Sequence, residues 1–175
     1  MYDYVWYCRL YWNRTGSTDR SDGLSKLEYR GYDSAGMAIF DGEKINTRKA
    51  VGRLKVLENL THGGENMKGT SGIGHTRWAT HGAPSDINSH PHMNNAGTIA
   101  VVHNGIIENY IPLKKKMQDK GYQFVSETDT EVLAHLLDYY YKGNPLEAIT
   151  KVLHRVEGSY ALGIMFADQP DKIFA

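Results

Sequence analysis

Hydrophobic residues in several parts of this chain fall into short runs bounded by glycine and polar residues, a pattern that predicts strands. Residues 37–40 and 44–47 flank Asp41-Gly42, a dipeptide that accepts the positive φ angles of a tight turn, so we expect a β-hairpin. The runs at 72–75 and 98–103 are typical of buried strands. Residues 160–167, a turn at 168–171 and a new start at Lys172 predict a second hairpin, whose partner strand we expect to be cut off at Ala175.

Three segments have apolar residues at helical spacing. A capping box, Thr128-Asp129-Thr130-Glu131, precedes an apolar face that we expect to end at Gly143: Val132, Leu133, Leu136, Leu137 and Tyr140. Asn144-Pro145 starts a second helix, predicted to turn Leu146, Ile149, Leu153 and Val156 inward. Residues 110–120, rich in lysine toward the end and closed by Gly121, form the third. Hairpins and amphipathic helices without repeated strand-helix-strand units predict an α+β fold with antiparallel sheet covered by helices.

Composition narrows the classes of function. The chain has 175 residues, 41% of them hydrophobic, which suits one domain. Its 20 basic and 20 acidic residues cancel, so we expect no binding to nucleic acid or to a membrane surface. With no membrane-spanning run and no signal peptide pattern, the cytoplasm is the expected location. The single cysteine, Cys8, excludes an internal disulfide and a cysteine-built zinc site.

Four segments are rich in polar groups, which are costly to bury unless they bind something: residues 29–36, 75–82, 103–105 and 126–131. A free amino acid as ligand would explain them, because its carboxylate requires donors and its ammonium requires a carboxylate. Arg77, Thr80 and His81 are candidates for the carboxylate end, and Asp129 for the ammonium end.

Asn104-Gly105 follows an apolar strand and offers a side-chain amide and a backbone N–H, the two kinds of donor that oxyanion holes use. The same dipeptide is common in plain turns, and a turn is the more frequent structure for it. Other residues of the four segments also have a purely structural interpretation. Trp78 could be a core residue, Asp129 could be a carboxylate stabilised by a helix dipole, and Arg30 with Asp33 could be a solvated ion pair.

Several histidines raise the alternative of a metal-dependent hydrolase: His81, His90, His92 and His103. The spacing His90-x-His92 lacks the i, i+4 pairing of the helical zinc motif of hydrolases. A metal site is therefore the weaker hypothesis.

Five sequence segments, taken in order, resemble the class II glutamine amidotransferase domain of the glucosamine-6-phosphate synthase family. They are Leu-Glu-Tyr-Arg-Gly-Tyr-Asp-Ser-Ala-Gly at 27–36, His-Thr-Arg-Trp-Ala-Thr-His-Gly at 75–82, and residues 88–92, 102–109 and 126–131. The resemblance runs from about Leu24 to the end of the chain, and the segment at 29–36 is similar to the sugar-phosphate branch of these enzymes. It implies an N-terminal-nucleophile hydrolase fold, a four-layer αββα sandwich.

The resemblance also implies roles for individual residues. Arg77, Thr80 and His81 would bind the carboxylate of L-glutamine, and Asp129 its ammonium with help from the Gly105 backbone. Asn104 and Gly105 would form the oxyanion hole. Trp78 would line the route by which ammonia leaves, and Arg30 would lie near the N-terminus. The resemblance implies no metal or organic cofactor. It implies as partner the sugar isomerase region of the same enzyme, which we expect not to be included in residues 1–175.

The start of the chain departs from the family. Its members begin, once mature, with a nucleophilic cysteine whose α-amino group is the base, whereas residue 2 here is Tyr2, a phenol with a pKa near 10. The family's opening Cys-Gly-Ile-Val-Gly is matched only by Val5. We therefore expect residues 1–175 to be a glutamine amidotransferase type-2 domain that is incomplete at its C-terminus, atypical over 1–23, and inactive as written.

Three explanations are open for residues 1–23: a misassigned or altered start, an engineered variant, or a natural copy that has lost activity. Cys8 could act only if processing made it the first residue. A different class of function is a catalytically dead module that binds glutamine or docks a partner, retaining Arg77 and Asp129 without the nucleophile.

Overall fold

The computed structural model describes residues 33–78 and 81–175, together with Leu24 and the backbone of residues 7–11. The strands in this part of the chain are β1 Tyr7–Tyr11, β2 Ser34–Phe40, β3 Ile45–Val51, β4 Ser71–Arg77, β5 His92–Met93, β6 Ile99–Ile107, β7 Gly158–Phe166 and β8 Ile173–Phe174. The helices are α1 Leu54–Leu60, α2 Tyr110–Gln118, α3 Glu131–Tyr140 and α4 Pro145–Leu153.

The strands form two antiparallel sheets, with the orders β1-β4-β2-β3 and β5-β6-β7-β8. Both predicted hairpins are confirmed: β2 pairs with β3 so that Phe40 faces Ile45, and β7 pairs with β8. In the first turn, the Asp41 carboxylate accepts the N–H groups of Glu43 and Lys44 at 2.9 Å each. β1, which lies within the atypical residues 1–23, pairs with β4 along its five residues.

Each sheet carries apolar side chains on both faces, since successive side chains of a strand point to opposite sides. One set of side chains fills the space between the sheets: Ala38, Phe40, Ile45, Ile73, Ala100, Val102 and Met165. On the outer face of the first sheet, Leu54 and Leu57 of α1 pack against Met37 and Ile39. α3 and α4 cover the outer face of the second sheet through a larger cluster that includes Val101 and Ile164. The α+β class and the four-layer αββα sandwich are confirmed.

All three predicted helices form, but two details of the prediction are wrong. Thr128 does not cap α3, since the N-cap residue is Thr130 and makes no side-chain capping bond. On α4 the buried residues are Pro145, Ala148 and Val152, which leaves Leu146 65% exposed and Leu153 39% exposed. Leu146 lies two residues before Ala148, roughly 200° around the helix, and therefore points away from the face that packs. No helix in the described residues is long and apolar enough to cross a membrane.

Candidate active site

Polar side chains meet where the apolar packing between the two sheets ends. On β4, Ile73 belongs to the core between the sheets, and His75 and Arg77 follow on the same face with the period of two that strands impose. On β6, Val102 belongs to the same core and Asn104 follows it. The two strands thereby place His75 Nε2 2.7 Å from Asn104 Oδ1, a hydrogen bond that joins the sheets.

Arg77 is a buried cation, with its side chain 5% exposed. Its Nη2 donates to the backbone carbonyls of His81 and Gly82, the latter at 3.0 Å. Its Nη1 lies 3.9 Å from Asp33 Oδ1 and has no hydrogen-bond partner among the described residues. Burial lowers the pKa of Arg77, whereas the charges of Asp33 and Asp129 act in the opposite direction. A guanidinium stays protonated at neutral pH, so the site holds a positive charge with spare donor capacity.

Asp129 is a buried carboxylate, 3% exposed, just before α3. Its Oδ2 accepts the N–H of Ile107 at 2.8 Å, which ties the end of β6 to the start of α3. Its Oδ1 accepts the hydroxyl of Thr130 at the longer distance of 3.4 Å. Because an ionised carboxylate has about four acceptor positions, Asp129 keeps acceptor capacity for a further donor.

Asn104-Gly105 lies inside β6 and pairs with β7, with Gly105 opposite Tyr160, so the interpretation as a plain turn is wrong. The sequence pattern predicts these two residues directly after the strand, whereas β6 continues to Ile107. Gly105 has a φ of +122°, and a Cβ at this position would lie 1.9 Å from the carbonyl oxygen of Ser159. The positive φ and the close approach of β7 both require glycine.

Four histidines of the site are buried close together: His75, His90, His92 and His103. The ring of His90 lies with its centroid 4.4 Å from that of His75 and 5.0 Å from that of His92. His103 Nδ1 is 2.8 Å from the Thr130 hydroxyl. Burial lowers the pKa values of His75 and His103 to about 4, and those of His90 and His92 also fall. No group of three histidine, cysteine or carboxylate side chains within the described ranges could hold a metal ion.

The other residues that the sequence predicts for the site are less buried than Arg77 and Asp129, or lie outside the described residues. Trp78, at the end of β4, is 55% exposed, so its interpretation as core is wrong. His81 is half-buried against the ring of Tyr110, with centroids 5.3 Å apart. Asp33 lies beside Arg77. The predicted residues Tyr2, Arg30 and Thr80 lie outside the described residues, as does the proposed ion pair of Arg30 with Asp33.

Two residues that hold the site together, Asn88 and Glu131, were not selected as site residues from the sequence. Asn88 donates to the Ala83 carbonyl at 2.9 Å and accepts the Glu127 N–H at 3.0 Å, which joins the loop after β4 to the segment before α3. Glu131 accepts the N–H groups of Val125 and Ser126 at 2.9 and 2.7 Å. Both lie in segments that carry the resemblance, but their partners could not be read from local pattern.

Comparison with known proteins identifies the family to which the chain belongs. The sequence family described as the glutamine amidotransferase domain matches residues 75–175, and the chain belongs to this family. The solved glutamine phosphoribosylpyrophosphate amidotransferase from B. subtilis has the same fold, with a TM-score of 0.77 and 30% identity over 92% of this chain and 35% of its own. The fold is therefore that of N-terminal-nucleophile amidotransferases.

The chain is more similar in sequence to sugar-phosphate enzymes than to this solved structure. The glutamine–fructose-6-phosphate aminotransferase (isomerizing) of Caldanaerobacter subterraneus subsp. tengcongensis is 64% identical over 154 residues, which are 88% of this chain and 25% of that protein. The enzyme of the same name from Clostridium tetani is 63% identical over the same shares. The chain thus spans about a quarter of the length of these relatives.

Proposed function

We propose that this domain binds L-glutamine and supplies the glutaminase step of a glutamine–fructose-6-phosphate aminotransferase, in which ammonia is released for synthesis of glucosamine 6-phosphate. The observation that carries the proposal is the pair of buried opposite charges, Arg77 and Asp129, each with unused hydrogen-bonding capacity. A zwitterionic amino acid has a carboxylate for the first and an ammonium for the second. Steps on the sugar are assigned to regions of the relatives that this chain does not cover.

The side-chain amide of the bound glutamine is assigned to Asn104 and Gly105. His81 and Thr80 complete the carboxylate end in this proposal, and Trp78, exposed at the end of β4, borders the route for ammonia. The N–H donors at Asn104 and Gly105 would stabilise the negative charge that develops on the amide oxygen during acyl transfer. The reaction needs no metal in this scheme.

In this proposal catalysis uses a cysteine at the mature N-terminus of the protein, and residue 2 of this sequence is Tyr2. Thiolate attack forms a C–S bond to the amide carbon, and the C–N bond breaks as the N-terminal amine passes the thiol proton to the departing ammonia. Water then cleaves the thioester and yields glutamate and the thiol. A chain whose mature N-terminus is not a cysteine would, in this proposal, bind glutamine without turnover.

Calorimetric titration with L-glutamine and two truncated ligands tests the binding proposal. 4-Carbamoylbutanoate lacks the ammonium, and 4-aminobutanamide lacks the carboxylate. Each hydrogen bond to a charged group contributes about 1.5–3 kcal/mol, so each truncated ligand should bind roughly 10- to 100-fold more weakly. Asp129→Asn should remove the preference for the ammonium while Asn still accepts the N–H of Ile107. Equal affinity for all three ligands would exclude the zwitterion site.

The nucleophile is tested separately. The intact mass and N-terminal peptide sequence establish whether the chain begins Met1-Tyr2, and glutamate release is then measured in the same sample. Release of glutamate by a chain confirmed to begin with Met1-Tyr2 would show that the terminal cysteine is not required.

A further inference from the structure

We propose that His75 is a positioning residue that fixes the side-chain amide of Asn104 with its NH₂ group toward the glutamine amide. This inference rests on the proposed function, which assigns Asn104 to the oxyanion. It gives a role to a buried histidine that binds neither end of the amino acid in that proposal.

An asparagine amide has one end that stabilises an oxyanion and one end that repels it. The NH₂ group donates, whereas Oδ1 is an acceptor, and the terminal torsion allows both orientations about equally. An oxyanion hole built on Asn104 therefore needs a neighbour that distinguishes the two ends. His75 Nε2, 2.7 Å from Oδ1, is in the position to do so.

The protonation state of His75 decides which orientation is favoured. Burial lowers the pKa of His75 to about 4, although the hydrogen bond to Asn104 and, to a smaller extent, the His103 backbone act in the opposite direction, so the ring is neutral at pH 7 and carries one N–H. Nδ1 has no hydrogen-bond partner among the described residues. The proton therefore belongs on Nε2, which donates to Asn104 Oδ1. A proton on Nδ1 would make Nε2 an acceptor and turn the amide oxygen toward the substrate.

The surroundings of His75 hold its ring in place. The residue is 2% exposed on β4, a strand that has neighbours on both sides, and its ring packs against that of His90. Gly36 lies directly across from His75 in the β2–β4 register. A Cβ on Gly36 would lie 2.1 Å from the His90 carbonyl oxygen, so the glycine admits His90 to this position. The imidazole thus provides a rigid reference for the amide.

Binding of two ligands that differ at the amide tests the proposal without any need for turnover. L-Norvaline retains the α-amino acid group of L-glutamine and lacks the amide, so the ratio of the two dissociation constants measures what the amide contributes. Two neutral hydrogen bonds to the amide correspond to a preference for glutamine of roughly 10-fold or more in the unaltered chain. His75→Leu should reduce this preference to about twofold, and His75→Gln, which retains an N–H donor, should restore most of it.

Val152→Ala is the matched control, because Val152 is also fully buried but lies on α4, in the cluster on the outer face of the second sheet. It should leave the ratio unchanged even if it lowers stability. A ratio that stays high in His75→Leu would overturn the role of His75 and leave the proposed function intact. A ratio near one in the unaltered chain would instead overturn the proposed role of Asn104.

The tautomer of His75 gives a second test in the unaltered chain, which stands even if His75→Leu does not fold. Two-bond ¹H–¹⁵N correlation spectra at pH 7 should show the proton on Nε2. A proton on Nδ1 would overturn the inference whatever the ligands show.

Discussion

Replacement of Gly105 by alanine tests whether the oxyanion segment depends on its backbone geometry. A φ of +122° is unfavourable for alanine and costs about 1–3 kcal/mol. The added Cβ, 1.9 Å from the Ser159 carbonyl oxygen, forces β6 and β7 apart at a further cost of about 1–3 kcal/mol. We therefore expect Gly105→Ala to lower the free energy of unfolding by roughly 2–6 kcal/mol.

Gly97→Ala is the matched control for this change. Gly97 also has a positive φ, +71°, but a Cβ there would meet no atom within 4 Å. Gly97→Ala should lower the free energy of unfolding by about 1 kcal/mol. Alanine also reduces the entropy of the unfolded chain, and this effect is the same in both variants. Urea denaturation followed by circular dichroism measures both. If Gly105→Ala were no more destabilising than Gly97→Ala, the close approach of the two strands would be refuted.

Three further predictions concern buried groups elsewhere in the fold and the histidines of the site. Because burial lowers the folded-state pKa values of His75 and His103 to about 4, below an ordinary value near 6.5, the unfolded chain takes up protons first on acidification. The urea midpoint should therefore fall as the pH is lowered from about 6.5 to about 4, and a midpoint that is unchanged across this range would contradict the buried neutral histidines. Burial raises the pKa of Glu131, but the nearby His135 side chain, 3.6 Å away, and hydrogen bonds from Ser126 and the backbone lower it to about 2. Glu131→Gln should therefore cost about 1–3 kcal/mol in urea denaturation, and a cost below about 0.5 kcal/mol would count against this network. Val152→Ala should lower the free energy of unfolding by about 2 kcal/mol and Leu146→Ala by less than about 0.5 kcal/mol, and equal losses in thermal melts would restore Leu146 to the core.

The local elements and the residue types of the site could be predicted from the sequence alone. The Asp41-Gly42 turn predicted its hairpin because glycine at this position tolerates the φ of +113° that the structure has there. The apolar spacing of residues 132–140 predicted α3 because that face repeats with the helical period, and its leucines and Val132 are buried against the second sheet. Arg77, Asn104 and Asp129 could be selected because buried polar groups require partners, and all three are buried.

How these residues are brought together depends on the tertiary fold. His75 and Asn104 are 29 positions apart and lie on different sheets, so no local period indicates that they are bonded. Asn104-Gly105 suits a turn by its local preference, and its pairing with β7 overrides that preference. Leu146 and Trp78 are apolar but exposed, because periodicity identifies an apolar face without identifying which element covers it. Local pattern fixes the conformation of a segment, whereas burial and partnership depend on segments distant in the chain.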